Sequence, residues 1–282
     1  MMITPLPDTL IEPIVRAALA EDLGRAGDVT SAACIAPDAV LDVAFAARHG
    51  GAISGLACAR LAIAALDPAI AFEQVAADGD QVQPGAVLAT ARGNARAILS
   101  AERVALNLLG HLSGVASLTA TYVREVAGTR ARIADTRKTT PGLRALEKYA
   151  VRCGGGMNHR FGLDDAILIK DNHVAAAGGV SAALLRAKAA APHLMKIEVE
   201  VDGLEQLREA LPHAPDVIML DNFSLKDLRA AVALVAGKVT LEASGGVNLT
   251  TVRAIAETGV DVISVGALTH SAPTLDIGLD AR

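Results

Sequence analysis

From residue 130 onward, short apolar runs of strand length alternate with longer stretches whose apolar residues recur every three or four positions. The runs are ARIADT, DAILIK, KIEVEV, DVIML, KVTLEAS and DVISVG, with GGMNH a candidate for a further one. Repeated βα units of this kind build a parallel sheet, either doubly wound or closed into a barrel. Polar residues at several successive strand ends favour the barrel. Fewer than eight units make it an incomplete one. Before residue 112 the texture differs. A helical N-terminal segment leads into the strand-like pieces LDVAFAARHG, GAISG and AVLATARG, separated by DGD and QPG turns, which reads as a small α/β domain. Between the two regions lies a long amphipathic stretch from Ile98 to Val126, with Gly110 and Gly114 as its expected breaks.

The segment from Lys196 to Asp202 says what the strands face. Side chains alternate across a strand, so Ile197, Val199 and Val201 share one face while Lys196, Glu198 and Glu200 share the other. The outer face of a barrel strand packs on helices, so the charged set is expected inside, where charges are costly unless paired or liganded. The same alternation puts Thr240, Glu242 and Ser244 inward and Val239, Leu241 and Ala243 outward. Ionisable residues then gather at successive strand C-termini, the end where barrels place their sites: Arg137, Lys138, Lys170, Glu200 and Asp221. With His159 and Arg160, the cations suit carboxylates and phosphates, the arginines bidentately. Glu200 and Asp221 suit Mg²⁺ or ribose hydroxyls, because hard cations take oxygen ligands. Ser244-Gly245-Gly246 and Gly266-Ala267 follow the last two strands, where exposed backbone N–H groups near a helix start can cradle a phosphate.

Composition narrows the function classes. A net charge of −5 with 2% aromatic residues excludes a general nucleic-acid binder, so an anionic ligand needs a local cluster of Arg and Lys. The three cysteines, Cys34, Cys58 and Cys153, are odd in number and lack CxxC spacing, which predicts neither a disulfide framework nor a zinc site. The first residues carry Asp and Glu and lack the pattern of a signal peptide, and there is no run of about 18 uninterrupted apolar residues. The expectation is a soluble, cytoplasmic protein of 282 residues, large enough for a barrel and a second domain.

The chain resembles the quinolinate phosphoribosyltransferases, a type II phosphoribosyltransferase family. The resemblance is carried by EDLGRAGDVTS, ERVALNLLGHLSGVAS, ADTRKTTPGLRALEKYAVRCGGGMNHRFGLDDAILIKDNH, EVEVD, LDNF, LEASGGV and GVDVISVGALTHS, and runs from residue 21 to 271. It implies an irregular seven-stranded α/β barrel over residues 113–271. An N-terminal α/β sandwich over residues 1–112 is joined by residues 272–282. It also implies a homodimer with its sites at the interface. The implied substrates are quinolinate and phosphoribosyl pyrophosphate, with Mg²⁺. Arg137, His159, Arg160 and Lys170 are then expected on the acceptor's carboxylates, with Arg103 arriving from the neighbouring subunit. Lys138, Glu200 and Asp221 surround the donor and its metal, and Ser244 to Gly246 with Gly266 and Ala267 take the 5-phosphate. Lys138, Lys170, Glu200 and Asp221 are the catalytic set.

Other readings remain open at this point. A lysine Schiff-base aldolase would use Lys138 or Lys170 beside a phosphate site. A binding protein that keeps the fold without turnover, or a relative acting on another acceptor, would also fit. Glu198 and Glu242 read as partners for lysines inside the barrel. His173 either supports Lys170 or caps the next helix with Asn172, while His111, His193 and His213 read as surface or packing residues and Cys153 as a structural thiol.

Overall fold

The computed structural model describes residues 3–282. In chain order the first elements are α1 (Asp8–Leu23), α2 (Val29–Cys34), β1 (Val40–Ala47), β2 (Gly51–Ala52) and α3 (Leu56–Leu66). They are followed by β3 (Ala71–Gln74), β4 (Gln81–Val82), β5 (Val87–Asn94), α4 (Ala95–Glu125), β6 (Arg132–Ala134) and α5 (Arg144–Cys153). Next come β7 (Ile167–Ile169), α6 (Asp171–Ala177), α7 (Val180–Ala190), β8 (Ile197–Val201), α8 (Leu204–Ala210) and β9 (Val217–Asp221). The chain ends with α9 (Leu225–Val235), β10 (Thr240–Ser244), α10 (Val252–Ala256), β11 (Val262–Ser264), α11 (Ala267–His270) and β12 (Ile277–Ala281).

Two compact units result. Among the described residues, the first comprises residues 3–120, 139–155 and 268–282. Its sheet is antiparallel in the order β12-β1-β5-β3, the C-terminal strand pairing with β1 from Val43–Ala281 to Ala47–Ile277. Helix starts are fixed by acidic and amide side chains: Asp28 Oδ1 accepts from Ser31 N–H, Asp78 Oδ1 from Gly55 and Leu56 N–H, and Asn94 Oδ1 from Ala97 N–H. Ile11, Val15 and Leu19 recur every fourth residue of α1 and are buried. Cys153 is buried too, its thiol pushed up to about 11 by that burial, which suits packing and not nucleophilic chemistry.

Helix α4 corrects the expected breaks at Gly110 and Gly114. It runs unbroken through both. The two glycines serve close approach, because Leu275 N–H donates to the Gly110 carbonyl at 3.0 Å and a Cβ on Gly114 would strike the Pro273 carbonyl. Among the described residues α4 is the one helix long and apolar enough, by length and composition, to cross a membrane. Two thirds (67%) of its apolar window is buried in the fold, so it is spent as a core helix.

The second unit comprises residues 121–138 and 156–267. Its six strands are all parallel, in the order β6-β11-β10-β9-β8-β7, and correspond to the six runs seen in the sequence. The GGMNH segment contributes a single parallel bridge from Met157 to Ala134, on the far side of β6, rather than a full strand. Among the described residues no hydrogen-bonded pair joins β7 back to Met157. The sheet is nevertheless rolled up. Met157 stands five strand steps from β8, by way of β6, β11, β10 and β9, which on a flat sheet is about 24 Å. Yet His159 Nε2, two residues beyond Met157, is 3.0 Å from Glu198 Oε2 on β8. Only a strongly curled sheet brings them together, with side chains and not a ladder linking the loop after Met157 to β8.

Candidate active site

The concave face of the curled sheet carries two layers of charge, set by the alternation in β8. Glu198 and Glu200 are both buried on the inward face, and the whole of β8 is buried because its other face packs outward. Lys196, expected beside them, is not inside. It precedes the first strand residue, is 74% exposed and pairs with Asp216 at 2.9 Å. Thr240, at the start of β10, is likewise exposed.

In the lower layer, His159 Nε2 lies 3.0 Å from Glu198 and 3.6 Å from Glu242 on β10. The expected lysine partners of these glutamates are replaced by one imidazole. Burial, and after it the Glu198 carboxylate, pushes the Glu242 carboxyl up to about 7. A carboxyl raised above its ordinary 4.5 binds its proton more tightly in the folded state. The stability it confers is therefore full below about pH 4.5 and lost as pH rises towards 7. Glu242→Gln mimics the protonated form. It should match wild-type stability closely at pH 5 and exceed it at pH 8, by up to roughly 3 kcal/mol. Melts that differ equally at both pH values would remove this group as the source. Asp165 and Asp216, whose carboxyls are held below 3.8, act below that window.

The upper layer lies at the strand C-termini. Lys170 Nζ is 3.0 Å from Glu200 Oε2, and one carboxylate oxygen from each of Glu200, Asp202 and Asp221 lies within 4.8 Å of the other two. An all-oxygen trio of this kind fits a hard divalent cation such as Mg²⁺. Asp202, which the sequence reading did not select, completes it. Asp221 is steadied by Asn222, whose Nδ2 donates to Asp221 Oδ2 at 2.7 Å. Asn222 has φ +54, and its N–H donates to the Ser244 carbonyl at 2.9 Å. Gly245 beside it has φ +89, and a Cβ there would lie 3.0 Å from Asn222 N and closer still to its Oδ1. The glycine is thus required by the close approach of the β9 and β10 ends. Neither glycine of Ser244-Gly245-Gly246 sits at a helix start, since α10 begins six residues after Gly246. Gly266 does directly precede α11, which is a single turn at Ala267.

Two arginines stand close to each other in the same unit. Arg160 Nη1 donates to the Ala166 carbonyl at 3.1 Å, and the guanidinium is destabilised first by burial and then by Arg137. The Nε atoms of Arg137 and Arg160 are both buried without a hydrogen-bond partner among the described residues. Buried unpaired donors on two mutually repelling cations are costly, and an anion relieves both costs. Asp135, also missed in the sequence, is fully buried at the end of β6 and accepts from His159 N–H at 2.9 Å and Asn158 Nδ2 at 2.6 Å. Its signal was the one that found Asp221, a carboxylate at the end of an apolar strand run. Lys138 is exposed, with its backbone N–H on Thr136 Oγ1. His173 both supports and caps: its Nδ1 accepts the Lys170 N–H at 3.0 Å in the first turn of α6. In the first unit, Arg103 is 63% exposed on α4, with Glu102 at 3.4 Å in place of a partner one turn away.

Residues 28–113 match the family model for the quinolinate phosphoribosyl transferase N-terminal domain, and residues 115–280 match its C-terminal domain. A Mycobacterium leprae protein named nicotinate-nucleotide pyrophosphorylase [carboxylating] is 48% identical over 271 residues, covering 94% of this chain and 95% of its own. A tobacco protein named quinolinate phosphoribosyltransferase [decarboxylating] 2b, mitochondrial, is 42% identical, covering 95% and 81%. Among solved structures, the nicotinate-nucleotide pyrophosphorylase of Francisella tularensis superposes with a TM-score of 0.95 at 40% identity, covering 100% of this chain and 99% of that one. On these matches, over nearly its whole length, the chain belongs to the quinolinate phosphoribosyltransferase family.

Proposed function

We propose that Arg137 and Arg160 hold the two carboxylates of quinolinate while this chain joins it to phosphoribosyl pyrophosphate. The reaction is the family's: it yields nicotinate mononucleotide, CO₂ and pyrophosphate, a step of de novo NAD biosynthesis. The observation that carries the placement is the pair of buried, unpartnered Nε donors on adjacent guanidiniums, which a planar dicarboxylate satisfies.

The pyridine nitrogen attacks the anomeric carbon of the donor, and the bond to pyrophosphate breaks with its electron pair leaving on oxygen. Lys138, exposed at the strand-end layer, is assigned to the departing charge, and the Glu200 and Asp221 carboxylates to the electron-poor ribose. Glu200, Asp202 and Asp221 would hold Mg²⁺, which when bound neutralises pyrophosphate oxygens. Loss of the C2 carboxylate leaves its electron pair beside the cationic ring nitrogen, and a proton then replaces CO₂ at that carbon. Lys170, an ammonium 3.0 Å from Glu200, is assigned to the acceptor and this step. Ser244, Gly245, Gly246, Gly266 and Ala267 are assigned to the 5-phosphate, and His159 to the acceptor side. In a homodimer, exposed Arg103 reaches the acceptor of the neighbouring protomer. Cytoplasmic residence is supported by three cysteines without a disulfide.

The test supplies quinolinate, phosphoribosyl pyrophosphate and Mg²⁺, with nicotinate as the parallel acceptor. Nicotinate mononucleotide and equimolar CO₂ are expected from quinolinate only, with loss on chelation and recovery on adding Mg²⁺. Equal use of nicotinate would refute the dicarboxylate site. Binding of both ligands without product would favour a binding protein, and full activity in chelator would remove the metal.

A further inference from the structure

The loop that carries Arg160 is held by its backbone. Residues 158–166 form neither strand nor helix, so no ladder satisfies their N–H groups. Side chains do so at four consecutive positions. His159 N–H donates to Asp135 Oδ1 at 2.9 Å, and Arg160 N–H to His159 Nδ1 at 2.7 Å. Phe161 and Gly162 N–H donate to the two oxygens of Asp165, at 2.6 and 2.8 Å. Three of these acceptors are carboxylate oxygens. The fourth is an imidazole nitrogen, and it works only while the ring is correctly turned.

What turns the ring is Glu198. A Nδ1 that accepts an N–H bears no proton, so the ring proton sits on Nε2. That N–H faces Glu198 Oε2 at 3.0 Å. Both ring nitrogens are thereby engaged within the protein, one on Glu198 and one on the backbone of Arg160. His159 thereby stands as a strut beneath Arg160 on the acceptor side.

We propose that Glu198 is a positioning residue for the acceptor: it fixes the His159 ring, which fixes the Arg160 backbone, so that the guanidinium meets the carboxylate in register. The inference rests on the assignment of Arg160 to quinolinate. Glu198 also supplies negative charge near Arg160, a role separate from positioning. The two roles separate by substitution. Glu198→Gln keeps the length and an acceptor oxygen for Nε2–H while removing the charge. Glu198→Asp keeps the charge and withdraws the oxygen by one methylene, breaking a 3.0 Å contact.

Steady-state kinetics on the purified full chain, varying each substrate in turn, read the difference. If Glu198 positions, the Gln variant stays within about threefold of wild type, while the Asp variant raises the quinolinate KM by about tenfold or more with the donor KM unchanged. The reverse order, or equal kinetics for Asp and wild type, overturns the proposal. Where Asp lowers stability, the Gln variant still decides, since a large rise in its quinolinate KM is incompatible with a purely geometric role. Adding His159→Ala gives a second reading. Glu198→Asp should then have no further effect on quinolinate KM, because its path to Arg160 is already cut. A wild-type enzyme inert towards quinolinate would instead refute the acceptor assignment itself, which these comparisons between variants do not test.

Discussion

Replacing Arg160 by alanine is expected to lower kcat/KM for quinolinate by roughly 100- to 1,000-fold, the usual cost of removing one partner from a desolvated charge pair. The ligand-free protein should melt within a few degrees of wild type. The two effects part because the guanidinium is poorly provided for without an anion. Burial and the Arg137 charge both work against it more than Glu198 and Asp165 offset, its Nε has no acceptor among the described residues, and its Nη1 donates to the Ala166 carbonyl. Arg137→Ala should behave alike, and it should relieve Arg160 of its like-charged neighbour. Quinolinate itself should raise the melting temperature of wild type, since a ligand that binds only the folded state stabilises it, and should fail to do so for either variant. Thermal melts with and without quinolinate, beside initial rates, check all of this. An unchanged quinolinate KM in folded Arg160→Ala would remove that residue from the site.

Much of the site was legible because β-strand alternation is strict. Once KIEVEV reads as a barrel strand, Glu198 and Glu200 must share the inner face, and both do. The rule holds only inside the strand, which is why Lys196, one residue before β8, turns out to solvent. Strand-end chemistry likewise pointed to Lys170, Glu200 and Asp221. What it could not supply was the pairing between distant strands. Nothing in the sequence says that His159 bridges to Glu198 and Glu242, because that contact exists only when the sheet rolls up. Asp135 and Asn222 were passed over for a related reason: each acts on a neighbouring backbone or carboxylate, and a residue type alone does not reveal whom it serves. The roles of Arg137 and Lys138 came from the resemblance as much as from their charge. The glycines show the same limit from the other side. A glycine within a helical pattern lowers helix propensity, so Gly110 and Gly114 read as breaks, whereas their cause lies some 160 residues further along the chain.

Those glycines give a large expected effect on stability that does not depend on pH. By propensity alone Gly114→Ala should stabilise α4 by about 1 kcal/mol. Packing argues the opposite with more force. The new Cβ would overlap the Pro273 carbonyl oxygen and come within 3.2 Å of Thr274 Cα, and both are backbone, so no side chain can swing aside. The segment that must yield leads into β12, whose pairing with β1 completes the edge of the antiparallel sheet, and it is tied to α4 by the Leu275 N–H bond to the Gly110 carbonyl. Overpacking against such a segment costs about 1–3 kcal/mol or more, and loss of part of the β12 pairing adds to it. A net fall in melting temperature of roughly 4–10 °C is expected for Gly114→Ala. Gly110→Ala should act in the same direction, since its Cβ would meet the Leu275 carbonyl oxygen at 2.9 Å. A variant that also lacks residues 273–282 should reverse the sign: with the obstacle gone, Ala at 114 should stabilise relative to Gly in the same truncated background. If Gly114→Ala raises the melting temperature of the full chain, the close approach of the C-terminal segment is not what keeps glycine in this helix.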